Sequence, residues 1–514
     1  MKILIPTSGL GTRLGNFSKY TNKALIKIGD KAAISHIIDL YPEDEFVITL
    51  GHFGDHVRQF LEMAYLDRKF TFVNVDPYEG EGSGLLKSIS FAREHLQCPF
   101  IFPVCDTIIT KKPPVPVYNW MACGVSSQAD LFRTVIANKD KIVKINEKGE
   151  INYDYAYVGI AGIDDYTKFW KELDNVIDTK DSSDCHVFER MLNNTTINVW
   201  RLNNWYDTGN VESLALTKDN YHSKYRVLDK YREAIYFING NVIKFFNDSS
   251  IVANRVARAK SLEGLTPQIV ESSDNFYKYK LLDGQALSEV LTEQRLLDLI
   301  NWAEENLWKP VEVDKEKFES ACHLFYYHKT YERVLSFLKE NNVDDVPETI
   351  NGVEVPNCME ILNKVKWADL STTLPTLFHG DFVLENILFD KDRFMLLDWR
   401  QDFGGNIEAG DIYYDLAKLN HNLIFNHQII DNNGYYLTIN DGEVNCDLHR
   451  SHNMALYQQK FLKLLEEKGY DVNKIQILSS IIWLNMASLH VYPLNKFLFY
   501  FGKYNLWSHL SQIG

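Results

Sequence analysis

At 514 residues, 45% of them hydrophobic, the chain is too long for one hydrophobic core, and roughly two to four packed domains are expected. Its formal net charge of −15 argues against the broad basic face that nucleic acid or an anionic membrane requires, while leaving room for a local pocket for phosphates. Seven cysteines without a CxxC pair predict reduced thiols, not a disulfide framework or a zinc site. No run reaches the roughly 20 uninterrupted apolar residues of a membrane span, so no membrane insertion is expected, and the cytoplasm is the default location.

In chain order, the first predicted strand covers 2–6 and runs into a glycine-rich loop, SGLGTRLG, from Ser8 to Gly15. Helical patterns follow at 34–40, 57–65 and 85–95, alternating with strands at 46–50, 70–75 and 99–104. That alternation predicts a parallel sheet with helices on both faces and ligands at the carboxyl ends of its strands. The loop after the first strand and Asp106, just past the fourth, fall at such ends. Around 216–234 the sequence turns polar and charged, and a domain boundary is placed near residue 222. Asn239-Gly240 between two apolar runs, 235–238 and 242–246, is a hairpin signal. A helix at about 250–263 and a strand at 277–282 come next, and from about 288 the pattern is mainly helical.

Two constellations carry chemistry. In the first, Gly9 and Gly11 let the backbone curl so that amides from Ser8 through Leu10 and Thr12 can face a phosphate. Arg13 brings a guanidinium suited to bidentate contact, and Lys23 a compact positive charge. Asp106 at a strand tip and Asp207 in WYDTGN are candidate magnesium ligands. In the second, Leu377 to Arg400 reads LFHGDFVLENILFDKDRFMLLDWR. Asp381 is placed to orient and deprotonate an attacking hydroxyl, with Asn386 and Asp398 as metal ligands. Lys244 stands alone in an apolar strand, a position that calls for a partner. Asp402 is a candidate contact for a polar acceptor, and His379 is read as a buttress of the loop. Trp302, Trp308, Trp367, Trp399, Tyr326 and Tyr327 include candidates for an aromatic cage, though most are expected in the core.

On these motifs residues 1 to about 220 resemble the sugar-phosphate and choline-phosphate nucleotidyltransferase family. The resemblance implies a doubly wound, Rossmann-like domain in which Gly9 to Arg13 and Lys23 bind nucleotide phosphates. Asp106 and Asp207 would hold Mg2+, and Gly82 and Ser83 in GEGSGLL would sit beside the base. Gly159, in YVGIAGI, and Lys148 would belong to the acceptor side. Asn22 stands where that family usually has proline.

Residues 225–514 resemble the aminoglycoside phosphotransferase and choline kinase group. This implies an α+β bilobal kinase-like domain, 223–514, with an N-lobe at about 230–285 and a C-lobe at about 286–514. Asp381 would be its base, Asn386 and Asp398 its metal ligands, and Lys244 the lysine on the ATP phosphates. Asp411 and Asp415 are read as fixing the loop and capping a helix. The glutamate partner of Lys244 is a gap in the match, since Glu263 comes late.

Together the two resemblances imply a bifunctional enzyme. One part phosphorylates a small alcohol or sugar with ATP, and the other joins that phosphate to a nucleoside monophosphate from CTP, UTP or dTTP. The product would be an activated donor for a surface polysaccharide or a lipid head group. A choline kinase fused to a cytidylyltransferase and a sugar kinase fused to a sugar-1-phosphate nucleotidyltransferase both stay open. So does a chain in which one domain is inactive and serves for binding, and so does an antibiotic-modifying kinase with an unrelated first domain. The sequence says nothing about the oligomeric state.

Overall fold

The computed structural model describes residues 1–179, 183–225, 230–440 and 442–511. Part of the polar stretch in which the boundary was expected, 226–229, therefore lies outside the described residues.

Apolar strands paired side by side build the first half. Among the described residues, nine strands form one sheet in the order Lys69–Asn74, Glu45–Leu50, Lys2–Pro6, Phe100–Pro103, Tyr155–Ile163, Trp120–Gly124, Asn198–Leu202, Lys141–Asn146 and Thr134–Asn138. The first four run parallel, as the strand–helix alternation predicts, with Lys2 opposite both Glu45 and Phe100. Beyond them the sheet is mixed, because Tyr155–Ile163 enters antiparallel to Phe100–Pro103. A purely parallel sheet is thus corrected. The central strands are buried on both faces: Ile3, Ile5 and Ile48 pack on one side, and Leu4, Val47 and Phe102 on the other.

By contacts the described chain divides into two units, one of 1–252 with 270–281 and one of 253–269 with 282–514. This differs from a cut near 222. The hairpin Glu233–Ile238 and Asn241–Phe246, extended by Phe276–Lys280, packs with the first unit. The physical reason is aromatic: Phe60 lies 4.9 Å from Tyr236 and 6.0 Å from Phe276, ring to ring. The Tyr236 hydroxyl also donates to the Leu25 carbonyl at 2.6 Å.

In the second unit the strands Ile387–Asp390 and Arg393–Leu396 pair antiparallel, with Ile387 opposite Leu396. The rest of the unit is mainly helical. Lys315–His323 continues through a wide π turn, Leu324–His328, into Lys329–Glu340. Ile412–Ile424 and Val472–Ala487 are buried over much of their length. No described helix is long and apolar enough to cross a membrane.

Candidate functional site

In the first unit, strand ends bring distant residues to one spot. Strand Lys2–Pro6 ends under the loop of Ser8, whose hydroxyl donates to Ser88 at 2.8 Å. Gly51 is needed beneath this loop, because a Cβ there would meet the Ser8 carbonyl at 2.6 Å. Gly11 adopts φ 66°, the left-handed turn expected of the curl, and Thr12 and Arg13 open the short helical turn that follows. Asn22 does more than substitute for proline. It is fully buried, donates to the Thr7 and His52 carbonyls at 2.8 and 2.6 Å, and accepts from the Ala24 amide at 2.9 Å. It thereby fixes the turn that carries Lys23.

Lys23 Nζ lies 2.8 Å from Asp106 Oδ2. Strand Trp205–Asp207 pairs with Thr107–Ile109, so that Asp207 stands opposite Thr107, next to Asp106. Gly209 measures the convergence. A methyl there would lie 3.1 Å from Asp207 Oδ1, 3.4 Å from Arg13 Nη2 and 3.4 Å from Asp106 Oδ2. Arg13, Lys23, Asp106 and Asp207, spread over nearly two hundred positions, share one corner. Burial alone would raise the Asp106 carboxyl, but Lys23 holds it below its ordinary value. Burial, with the Asp106 charge nearby, pushes Asp207 up. Lys148 is exposed and close enough to feel Arg13 and Asp207; desolvation and the Arg13 and Arg133 charges draw it down.

Among the described residues, no group of three or more His, Cys, Asp and Glu is gathered for a metal. Two carboxylates at one glycine nevertheless fit a magnesium ion that takes its other ligands from water and substrate phosphates. Gly82 and Ser83 lie in an open turn, with the Ser83 hydroxyl on the Gly80 carbonyl at 2.7 Å. Gly159 has a packing reason of its own. At φ 80° its Cβ would meet Val104 at 2.5 Å, two residues before Asp106.

In the second unit, a network of hydrogen bonds builds the Asp381 loop. Asp415, fully buried on helix Ile412–Ile424, accepts from the His379 amide at 2.7 Å, the Gly380 amide at 2.6 Å and Trp308 Nε1 at 3.1 Å. Burial pushes its pKa up to about 6 against those donors. Asp411 caps the same helix at the Tyr413 amide, 2.9 Å, and accepts from the Tyr326 hydroxyl at 2.8 Å. His379 is buried and drawn down to about 4, hence neutral near pH 7. Its Nε2 is 2.7 Å from the Leu397 carbonyl, which makes Nε2 the protonated nitrogen, and Nδ1 accepts from the Asp381 amide at 3.2 Å. These bonds tie the Asp381 loop to the Asp398 loop, as does the Leu397 amide on the Asn386 carbonyl at 2.7 Å.

Asn386 Nδ2 donates to Asp381 Oδ2 at 3.2 Å, so its Oδ1 is the atom it can offer a cation. Asp398 takes φ 57°, rare for a non-glycine residue. Lys418, which no sequence motif singles out, pairs with Asp381 at 2.7 Å. Burial would raise Asp381, but Lys418 overrides it and holds the carboxyl down to about 2. Arg255 pairs with Asp398, and Arg258 donates to the carbonyls of Phe378 and Arg400. The only hint of these two was their spacing on a helix, Ser249–Ser261, that holds no acidic residue. The expected glutamate is therefore absent from that helix, and Glu263 lies beyond it and exposed. Lys244 is buried in Asn241–Phe246, opposite Ile235 and Tyr277, within the first unit. Asp402 accepts from the Gly405 amide at 3.0 Å. Trp399, Trp367 and Trp308 are core residues whose indole N–H groups are all engaged, and Tyr326 is buried on Asp411.

No protein-family model and no curated protein matches the chain. Solved structures similar to part of it include a putative glucose-1-phosphate thymidylyltransferase from Bacillus anthracis, at 17% identity and a TM-score of 0.36, covering 45% of this chain and 98% of that one. A CTP:phosphocholine cytidylyltransferase from Streptococcus pneumoniae, at 17% identity and TM-score 0.37, covers 43% and 98%. The inositol-1-phosphate CTP transferase from T. maritima, at 15% and 0.36, covers 43% and 95%.

Proposed function

We propose that the chain is a bifunctional enzyme, a nucleotidyltransferase in about 1–222 and a small-molecule kinase in about 223–514. The observation that carries the first half is the convergence of Arg13, Lys23, Asp106 and Asp207 on Gly209. In this reading an oxygen of a substrate phosphate attacks the α-phosphorus of CTP, UTP or dTTP in line. The bond to the β-phosphate breaks and pyrophosphate leaves with its electron pair. Arg13 and Lys23 offset the charge that builds on the transferring group. Magnesium on Asp106 and Asp207 would supply the same kind of neutralisation.

For the second half, the acceptor hydroxyl donates its hydrogen bond to Asp381 and attacks the γ-phosphorus of ATP. ADP leaves, and the hydroxyl proton passes to the carboxylate. Asn386 and Asp398 are the residues that would hold magnesium there. The kinase product is the type of substrate the other half consumes, which favours a two-step route to an activated donor for surface glycan or lipid head-group synthesis. Arg255 on Asp398 favours a second reading, in which the kinase part binds a nucleotide without turning it over.

Two half-reactions separate these readings. With a panel of alcohols and Mg-ATP, ADP formation is expected to vanish in Asp381→Asn and survive in Asp106→Asn. With phosphorylated acceptors and each nucleoside triphosphate, pyrophosphate formation should show the reverse pattern. ADP formation by neither protein under any condition would leave the binding-module reading standing.

A further inference from the structure

Outside the residues already assigned, one cluster of charge stands out in this acidic chain. Lys329 and Arg333 are one turn apart on helix Lys329–Glu340. Lys329 Nζ lies 3.3 Å from the centroid of the Phe325 ring and 5.5 Å from that of Tyr414. The Arg400 guanidinium lies 5.0 Å from the same Phe325 ring, so two cations share one aromatic ring. Arg400 also borders the catalytic loop. Its amide donates to the His379 carbonyl at 2.9 Å, and a Cβ on Gly380 would meet the Arg400 Cβ at 2.6 Å. Lys418, one turn beyond Tyr414 on its helix, reaches Asp381 at 2.7 Å.

Among the described residues Lys329, Arg333 and Arg400 form no ion pair with a carboxylate. Arg333 makes only a 3.3 Å bond to the Asn485 carbonyl, and Arg400 Nε one of 3.1 Å to the Asp402 carbonyl. The Asp402 charge acts favourably on Lys329, but Asp402 forms an ion pair with none of the three; its Oδ1 accepts from the Gly405 amide at 3.0 Å. Gathering cations that lack a carboxylate partner into a desolvated spot is costly through lost hydration and mutual repulsion, and an anion would offset both. Desolvation, then Arg400, Arg333 and Lys418, push the Lys329 ammonium well below its ordinary value, as such crowding requires.

Resting on the kinase reading above, we infer that the acceptor alcohol is itself an anion, whose carboxylate or phosphate is bound by Lys329, Arg333 and Arg400 while its hydroxyl faces Asp381. The cluster would repel a quaternary ammonium such as choline. Charge-assisted hydrogen bonds to an otherwise desolvated anion are worth about 10- to 100-fold each in affinity.

The test measures ADP formation by the full chain with Mg-ATP and four alcohols: glycerate, glycerol 3-phosphate, glycerol and choline. A carboxylated and a neutral sugar, glucuronate and glucose, run alongside. An anionic alcohol is expected to exceed its neutral twin about 100-fold in kcat/KM; glycerate against glycerol 3-phosphate tells carboxylate from phosphate. Lys329→Met should raise KM for that acceptor about 10-fold or more with a smaller change in kcat, and Lys329→Arg should restore part of it. Arg333→Gln gives the same readout if Lys329→Met fails to fold. Preference for glycerol, glucose or choline would overturn the inference while leaving the kinase intact. A KM effect confined to ATP would place the cations on the nucleotide and overturn it too. No ADP formation with any acceptor would overturn the kinase reading itself, and this inference with it.

Discussion

Asp381 and Asp415 show how one carboxylate is kept charged and another made costly to charge. Asp381 has Lys418 at 2.7 Å, which outweighs burial and holds the carboxyl down to about 2. Asp415 has only neutral donors in contact and is held up to about 6. Since its folded value exceeds that of an unfolded aspartate, Asp415 binds a proton more tightly in the native state. Its contribution to stability is full below about pH 4 and is lost as pH rises through about 6, on the order of 3 kcal/mol. Asp415→Asn should flatten that slope in thermal melts at pH 4 to 7. Asp415→Ala, which strands three donors, should cost about 3–5 kcal/mol at neutral pH. At this scale the spacing in the sequence singled out Asp381, Asn386 and Asp398, and the structure ties their loops together. Spacing did not announce Asn22 or Lys418, whose roles depend on partners that no local pattern reveals.

Helix Ser249–Ser261 acts on both loops through two arginines. Arg258, fully buried and drawn down to about 9 by desolvation, bonds the carbonyls of Phe378 and Arg400 and stacks 3.8 Å over the Phe378 ring. Arg258→Met should loosen the loops it clamps. Hydrogen exchange at the His379, Gly380 and Arg400 amides is expected to speed up by about 10-fold or more, with little change in helix Val472–Ala487. Unchanged exchange would show that the clamp is dispensable. Among elements, the parallel strands were legible because each is an apolar run followed by a helical period. The antiparallel half was not, because an apolar run does not reveal its direction or its partner, as Trp120–Gly124 and Asn198–Leu202 illustrate. The bulge that re-aims Tyr155–Ile163 depends on Gly159 meeting Val104, a tertiary fact.

Across the whole molecule, two clusters of charged side chains lie on one chain, each assembled from residues far apart in sequence. The corner at Gly209 gathers two arms of positive charge and two carboxylates. The loops at Asp381 and Asp398 are tied by His379 and Asp415. Because Tyr236 and Phe276 pack on Phe60, the hairpin that follows the polar stretch counts with the first compact unit. We propose that the two clusters act in sequence on one small molecule. The measurement that tests it most directly is mass spectrometry of a single reaction containing the full chain, Mg-ATP, one further nucleoside triphosphate at a time and a panel of alcohols. A nucleoside-diphosphate-linked product is expected that disappears in Asp381→Asn, returns when the phosphorylated alcohol is supplied, and is absent from Asp106→Asn under both conditions. A phosphorylated alcohol that no nucleotide ever caps would contradict it.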